Sequence, residues 1–141
     1  MTTQLQSTTD AHTVERLSAE FNRCFATRSV PDDLFTADAF FDLYPPFWRF
    51  QLQGPDVFQA QLRAIATGPS SARVLRVVPT ATGFAMEHEE TQGGATVEVA
   101  RRLFLCDVRA GRIADVVGYC NGGWDDDLRA RHAAEAPMLR P

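Results

Sequence analysis

The sequence predicts an α+β domain, with helices packed into the concave face of one curved antiparallel sheet. Three observations carry that expectation. Apolar residues near the start recur every three or four positions, as on one face of a helix, whereas the second half alternates with period two. The alternating runs are separated by 79–83, Gly93-Gly94 and Ala110-Gly111, which read as turns. One run, 96–109, is apolar on both faces, with Val97, Val99, Leu103 and Leu105 alternating with Ala100, Phe104 and Cys106. One face lines the interior and the other needs a cover, most simply a second copy, so a homodimer built sheet to sheet is expected. At 141 residues and 45% hydrophobic content the chain holds one domain, residues 1–141, and is too short for two.

The elements follow in order. A first helix is expected over 10–28, because Val14, Leu17, Phe21, Cys24 and Phe25 share a face, and Asp10 or Thr13 can cap its start. Residues 30–35 read as a short helical turn, with Asp32 and Asp33 early, where the helix dipole favours acids. Residues 39–44 and 47–52 read as two short extended pieces joined by a bend at Pro45-Pro46. Gly54-Pro55 opens another helix, with Val57, Phe58, Leu62 and Ile65 on one face, and 68–71 ends it. Strands at 73–78, 84–92, 96–109 and 112–121 then form an antiparallel meander. A final helix, 125–135, begins with three acids and carries Arg129 and Arg131 later.

Composition excludes several functions. The net charge is −4 and the 14 basic residues are scattered arginines with no lysine, which argues against a nucleic-acid face and rules out a Schiff-base lysine. Cys24, Cys106 and Cys120 are an odd number without CxxC spacing, so neither a disulfide framework nor a zinc ribbon is indicated. The start lacks a signal-peptide plan and no apolar run approaches the ~20 residues of a membrane span, so a cytoplasmic protein without a membrane partner is expected. No phosphate loop, GxSxG elbow or dinucleotide fingerprint occurs, and no cofactor is expected.

The run 84–92 carries most of the chemistry. Alternation places Phe84, Met86, His88 and Glu90 on one face and Ala85, Glu87 and Glu89 on the other. The apolar pair demands burial, so His88 is carried inward beside a carboxylate. Two roles fit it: a hydrogen-bonded core residue, or the proton acceptor of a small acid–base site. No second His or Cys has ligand spacing, so no metal is expected. If Ala110-Gly111 is a three-residue turn with a bulge, Val108 faces Arg112 and Arg102 lies opposite Gly118, on the side of Phe104 and Cys106. Arg102 then either holds the oxyanion of a substrate or forms a structural ion pair with Glu90. Asp42 and Tyr44 share a face and offer either a base and a donor at the same mouth or turn chemistry before Pro45. Pocket walls are expected from Trp48, Phe58, Phe84, Met86, Phe104, Val116, Gly118 and Cys120, suited to a hydrophobic small molecule.

Particular stretches, in their order, resemble the SnoaL-like branch of the nuclear-transport-factor-two-like superfamily. They are Leu34-Phe35-Thr36-Ala37-Asp38-Ala39-Phe40-Phe41-Asp42, Gly54-Pro55-Asp56, Gly83-Phe84-Ala85-Met86-Glu87-His88, Ala110-Gly111-Arg112-Ile113 and Tyr119-Cys120-Asn121-Gly122-Gly123-Trp124. The resemblance implies a cone-shaped α+β barrel with a deep apolar pocket, usually dimeric, that serves polyketide cyclases, ketosteroid isomerases, epoxide hydrolases, dehydratases and non-catalytic adaptors alike. In the epoxide hydrolases an Arg and an Asp two apart face the pocket from the strand matching 84–92; here the pair is His88 and Glu90. Their further catalytic Asp falls near Gly118, so that triad is not reproduced. The isomerases' proton-shuttling Asp falls on Asp42 or, one residue on, Leu43. The expected function is a cofactor-independent acid–base enzyme acting on a hydrophobic carbonyl compound, by cyclisation, isomerisation or dehydration, in bacterial natural-product assembly. The alternative is a non-catalytic dimer that binds a small molecule or a partner.

Overall fold

The computed structural model describes residues 9–140. Helix α1 (Ala11–Thr27) buries Val14, Leu17, Phe21, Cys24 and Phe25. Asp10 is its cap, accepting the Thr13 N–H at 2.8 Å. The helix stops where Arg28 turns left-handed (φ 55°) and its N–H reaches the Cys24 carbonyl.

After a turn in which the Leu34 N–H meets the Pro31 carbonyl, strand β1 (Phe35–Tyr44) starts earlier than the expected residue 39. Its pairing is irregular between Phe35 and Phe40, and that bulge interrupts the alternation by which a strand is read. Residues 45–49 loop outward, with Phe47 left-handed at φ 62°, before β2 (Phe50–Gln53). Helix α2 (Pro55–Ala64) buries Phe58 and Leu62 but leaves Val57 exposed. Strands β3 (Ser70–Pro79), β4 (Gly83–Gln92), β5 (Glu98–Arg109) and β6 (Arg112–Cys120) form the expected meander. Helix α3 (Asp126–Glu135) follows, capped by Asp125.

The sheet has the order β2-β1-β6-β5-β4-β3. It curves around the helices without closing, so β2 and β3 are its edges. One pair corrects the wholly antiparallel expectation: β1 runs parallel to β6, with Asp42 opposite Val117 and Leu43 opposite Gly118. Parallel neighbours need a long crossover, here everything from β2 to β5, which no local pattern announces. The turn at Ala110-Gly111 also differs from expectation. Both residues are left-handed (φ 52° and 75°), giving a two-residue turn of type I′ with Arg109 opposite Arg112. An irregularity at Asp107 and Val108 then sets Phe104 opposite Gly118 and Arg102 opposite Cys120. The shift from the expected register is two residues, so Arg102 still faces inward.

The core between helices and sheet is largely phenylalanine. Phe41 stacks on Phe58 at 4.4 Å, and Phe21 packs against Phe104 at 4.8 Å. On the outer face Leu103, Leu105 and Tyr119 stay 40%, 45% and 47% exposed. Among the described residues no helix is long and apolar enough to cross a membrane.

Candidate active site: an arginine at the wall of an apolar cavity

A cavity of about 320 Å³ opens between α2, the end of α1 and the inner faces of β1, β5 and β6. Phe25, Leu43, Phe50, Phe58, Leu62, Ile65 and Phe104 make its apolar walls, Gln61 and Cys120 add polar groups, and Tyr44 and Tyr119 border its mouth. Gly118 lines it too, and its lack of a side chain has a reason. A Cβ there would stand 2.9 Å from both the Phe104 ring and a Leu43 methyl.

Arg102 is the one charged residue among those walls. Its guanidinium lies over the Phe25 ring, 5.2 Å from the centroid, and its Nη1 donates to Glu90 Oε1 at 2.8 Å and to His88 Nε2 at 3.3 Å. The side chains of Arg102 and Glu90 are 17% and 6% exposed, so the pair is desolvated, and Glu90 also accepts the Ser70 hydroxyl at 2.5 Å. The Arg102 Nε–H and both Nη2 hydrogens find no hydrogen-bond partner among the described residues.

His88 is fully buried behind the arginine, edge-on to Phe25 and Phe104, with Nδ1 3.0 Å from Asn22 Oδ1. Burial, and after it the Arg102 charge, push its pKa down to about 3, so the imidazole is neutral. Its Nε2 faces Arg102, which stands between the imidazole and the cavity.

The residues singled out in the sequence therefore separate into groups. Arg102, Phe58, Phe104, Gly118, Cys120 and Tyr44 line the cavity. Strand β4 brings His88 and Glu90 to Arg102, but His88 does not reach the cavity and Glu90 faces an adjoining cleft of about 200 Å³ that shares Arg102 and Ile65 with it. Phe84, Met86 and Val116 are at most 1% exposed, packed in the core and not on the cavity. Trp48 stands 72% exposed on the loop before β2. Asp42 points out of the sheet, held at 2.8 Å by both Nε and Nη2 of Arg49, whose hydrogen bonds lower its pKa. Tyr44 donates to Asp42 at 3.4 Å and stacks on Tyr119 at 5.0 Å. Asn22 and Ser70 escaped notice, although Asn22 borders the apolar stripe of α1 next to Phe21 and one turn before Phe25.

The sequence matches no family model and no curated protein. Its fold does match solved structures. An M. tuberculosis LEH-like epoxide hydrolase superposes with a TM-score of 0.64 at 14% identity, over 90% of this chain and 98% of the other. A candidate ketosteroid isomerase from Kribbella flavida gives 0.61 at 15% identity, over 81% and 82%. An NTF2-like protein of unknown function from Mesorhizobium loti gives 0.60 at 16% identity, over 79% and 93%. The chain has the NTF2-like fold that these proteins share, as the resemblance read from its sequence implied. At such identities the likeness carries the fold alone, and the chemistry has to come from the cavity.

Proposed function

We propose that the cavity takes an apolar small molecule bearing a carbonyl group, and that the protein is a cofactor-independent, isomerase-type acid–base enzyme. One observation carries the reading: in a wall otherwise apolar or uncharged, Arg102 keeps N–H groups without a partner among the described residues. A carbonyl oxygen set there gains hydrogen bonds that strengthen as negative charge develops, in surroundings where water does not compete. Glu90, the carboxylate beside Arg102, opens on the adjoining cleft, and on this reading it carries the proton for a substrate that reaches past Arg102 into that cleft. His88 holds Arg102, and a proton taken from one carbon and returned to another needs no co-reactant. Cyclisation or dehydration of the carbonyl compounds of bacterial natural-product assembly would use the same groups. Asp42 and Tyr44, tied to Arg49 on the outer side, serve the mouth and not the reacting atoms. A cytoplasmic homodimer joined through Leu103, Leu105 and Tyr119 completes the proposal.

A second reading, binding without turnover, is favoured by the His88 lone pair, which Arg102 already occupies. One experiment separates the two. With 2-tetralone in heavy water, deuterium uptake at the α-carbon, followed by mass spectrometry, should exceed the buffer rate and fall by ~10²-fold or more in Arg102→Met. Saturable binding without accelerated exchange would establish the second reading, and neither binding nor exchange would overturn both.

A further inference from the structure

The hydrogen bonds behind Arg102 form a chain whose two ends fix its direction. At one end the Ala72 carbonyl on β3 only accepts, so Asn22 on α1 turns its amide N–H toward it, at 3.0 Å. The amide oxygen is thereby aimed at His88 Nδ1, 3.0 Å away, and since that oxygen only accepts, Nδ1 carries the proton. At the other end a guanidinium only donates, so His88 Nε2, facing Arg102 Nη1, presents its lone pair. Both ends demand the same tautomer.

We infer that Asn22 is a positioning residue: it selects the Nδ1–H tautomer of His88 and, through it, keeps Arg102 at the cavity wall. The inference rests on the reading of Arg102 as the group that holds the ligand. With the proton on Nε2 instead, two donors would face each other and the guanidinium would lose one of its two anchors. The groups facing the imidazole agree with this. From α1 they are Asn22 and Phe25, and from β5 Phe104 and Arg102, whose charge opposes imidazolium formation. Glu90 reaches the cluster through Arg102, with Ser70 of β3 on its other oxygen. A carboxylate in place of the Asn22 amide would reverse the balance, because it favours a positive imidazole and sets a second acceptor against the Ala72 carbonyl.

Nitrogen NMR of ¹⁵N-labelled protein without ligand decides the first half of the inference. His88 in the wild type should show a protonated Nδ1 and a bare Nε2 throughout pH 6–8; a bare Nδ1 or a charged ring would overturn the inference whatever ligand the protein takes. Asn22→Asp should turn His88 into imidazolium near neutral pH and weaken 2-tetralone binding roughly tenfold, about what one hydrogen bond to a charged group contributes. Asn22→Leu, lacking an acceptor, leaves Arg102 alone to hold the tautomer, so a minor Nε2–H population should appear beside the Nδ1–H form. If both folded variants keep the wild-type imidazole spectrum, Asn22 does not set the tautomer and the inference is wrong. If neither variant folds, the wild-type spectrum alone decides. A wild type with the expected tautomer that does not bind 2-tetralone would refute the ligand reading and leave the tautomer assignment standing.

Discussion

Acidification tests the buried imidazole directly. His88 titrates near 6.5 in an unfolded chain but near 3 in the native protein, because burial and the Arg102 charge oppose its protonation. Between those values the unfolded state binds a proton that the native state does not. Stability from this residue is therefore fully present above pH 6.5 and drains away as the pH falls toward 3. At pH 5 the unfolded imidazole is protonated about 30:1 while the native one stays neutral, and RT ln 30 is about 2 kcal/mol. That figure depends on the unfolded pKa and scarcely on the native value, which lies well below pH 5. The assay is urea unfolding, followed by circular dichroism at one fixed protein concentration, at pH 7 and pH 5, for the wild type and His88→Gln. Carboxylates contribute to both proteins alike and cancel in the comparison. The wild type should lose about 2 kcal/mol more than the variant across this interval. Parallel losses would mean that His88 titrates as it would in water, and the account of its burial would fail.

Other outcomes follow from neighbouring contacts. Arg102→Met leaves Glu90 and the His88 lone pair without their donor, and urea unfolding should show a cost of ~3–5 kcal/mol, the range for breaking a buried pair; an unchanged midpoint would mean that water already solvates Glu90. Gly118→Ala sets a methyl 2.9 Å from Phe104 and Leu43, so thermal melting should reveal a loss of ~1–3 kcal/mol, with weaker 2-tetralone binding as the Phe104 ring moves into the cavity. Leu105→Glu should convert a dimer to a species near 15.6 kDa in sedimentation equilibrium, whereas a wild type already at that mass would remove the sheet-to-sheet proposal.

Much of this arrangement was legible because strands keep strict parity. The apolar Phe84 and Met86 determine on which face His88 and Glu90 fall, and no detail of the turns can change it. Arg102 shows the same robustness: the turn type and its opposite residue were misjudged, yet a slip of two residues keeps the face. Depth along the sheet was not legible. Phe84, Met86 and Val116 lie on the correct face but are sealed in the core, and where a helix crosses a sheet is a property of packing that strand alternation does not encode. In β1 phenylalanines at both Phe40 and Phe41 blurred the parity, so Asp42 was placed toward the cavity when Phe41 and Leu43 are the inward pair. Asn22 was hidden for a related reason. Its partner is 66 positions away, and nothing in helical periodicity distinguishes a polar residue at the edge of a stripe that meets water from one that meets an imidazole.

The parallel pairing of β1 with β6 bears on how the molecule comes into being. Strand β1 has β2 on one side, but its other neighbour is the last of the six strands to be synthesised, with the remaining strands and α2 between them. Until β6 emerges from the ribosome, the inner backbone edge of β1 has no partner and Phe35 and Phe41 lack part of their cover. Joining the two closes a loop of some seventy residues, an entropic cost met late, after the local hairpins have formed. A nascent chain stalled before residue 112 would thus present a bare strand edge to chaperones, or to its neighbours on the same polysome.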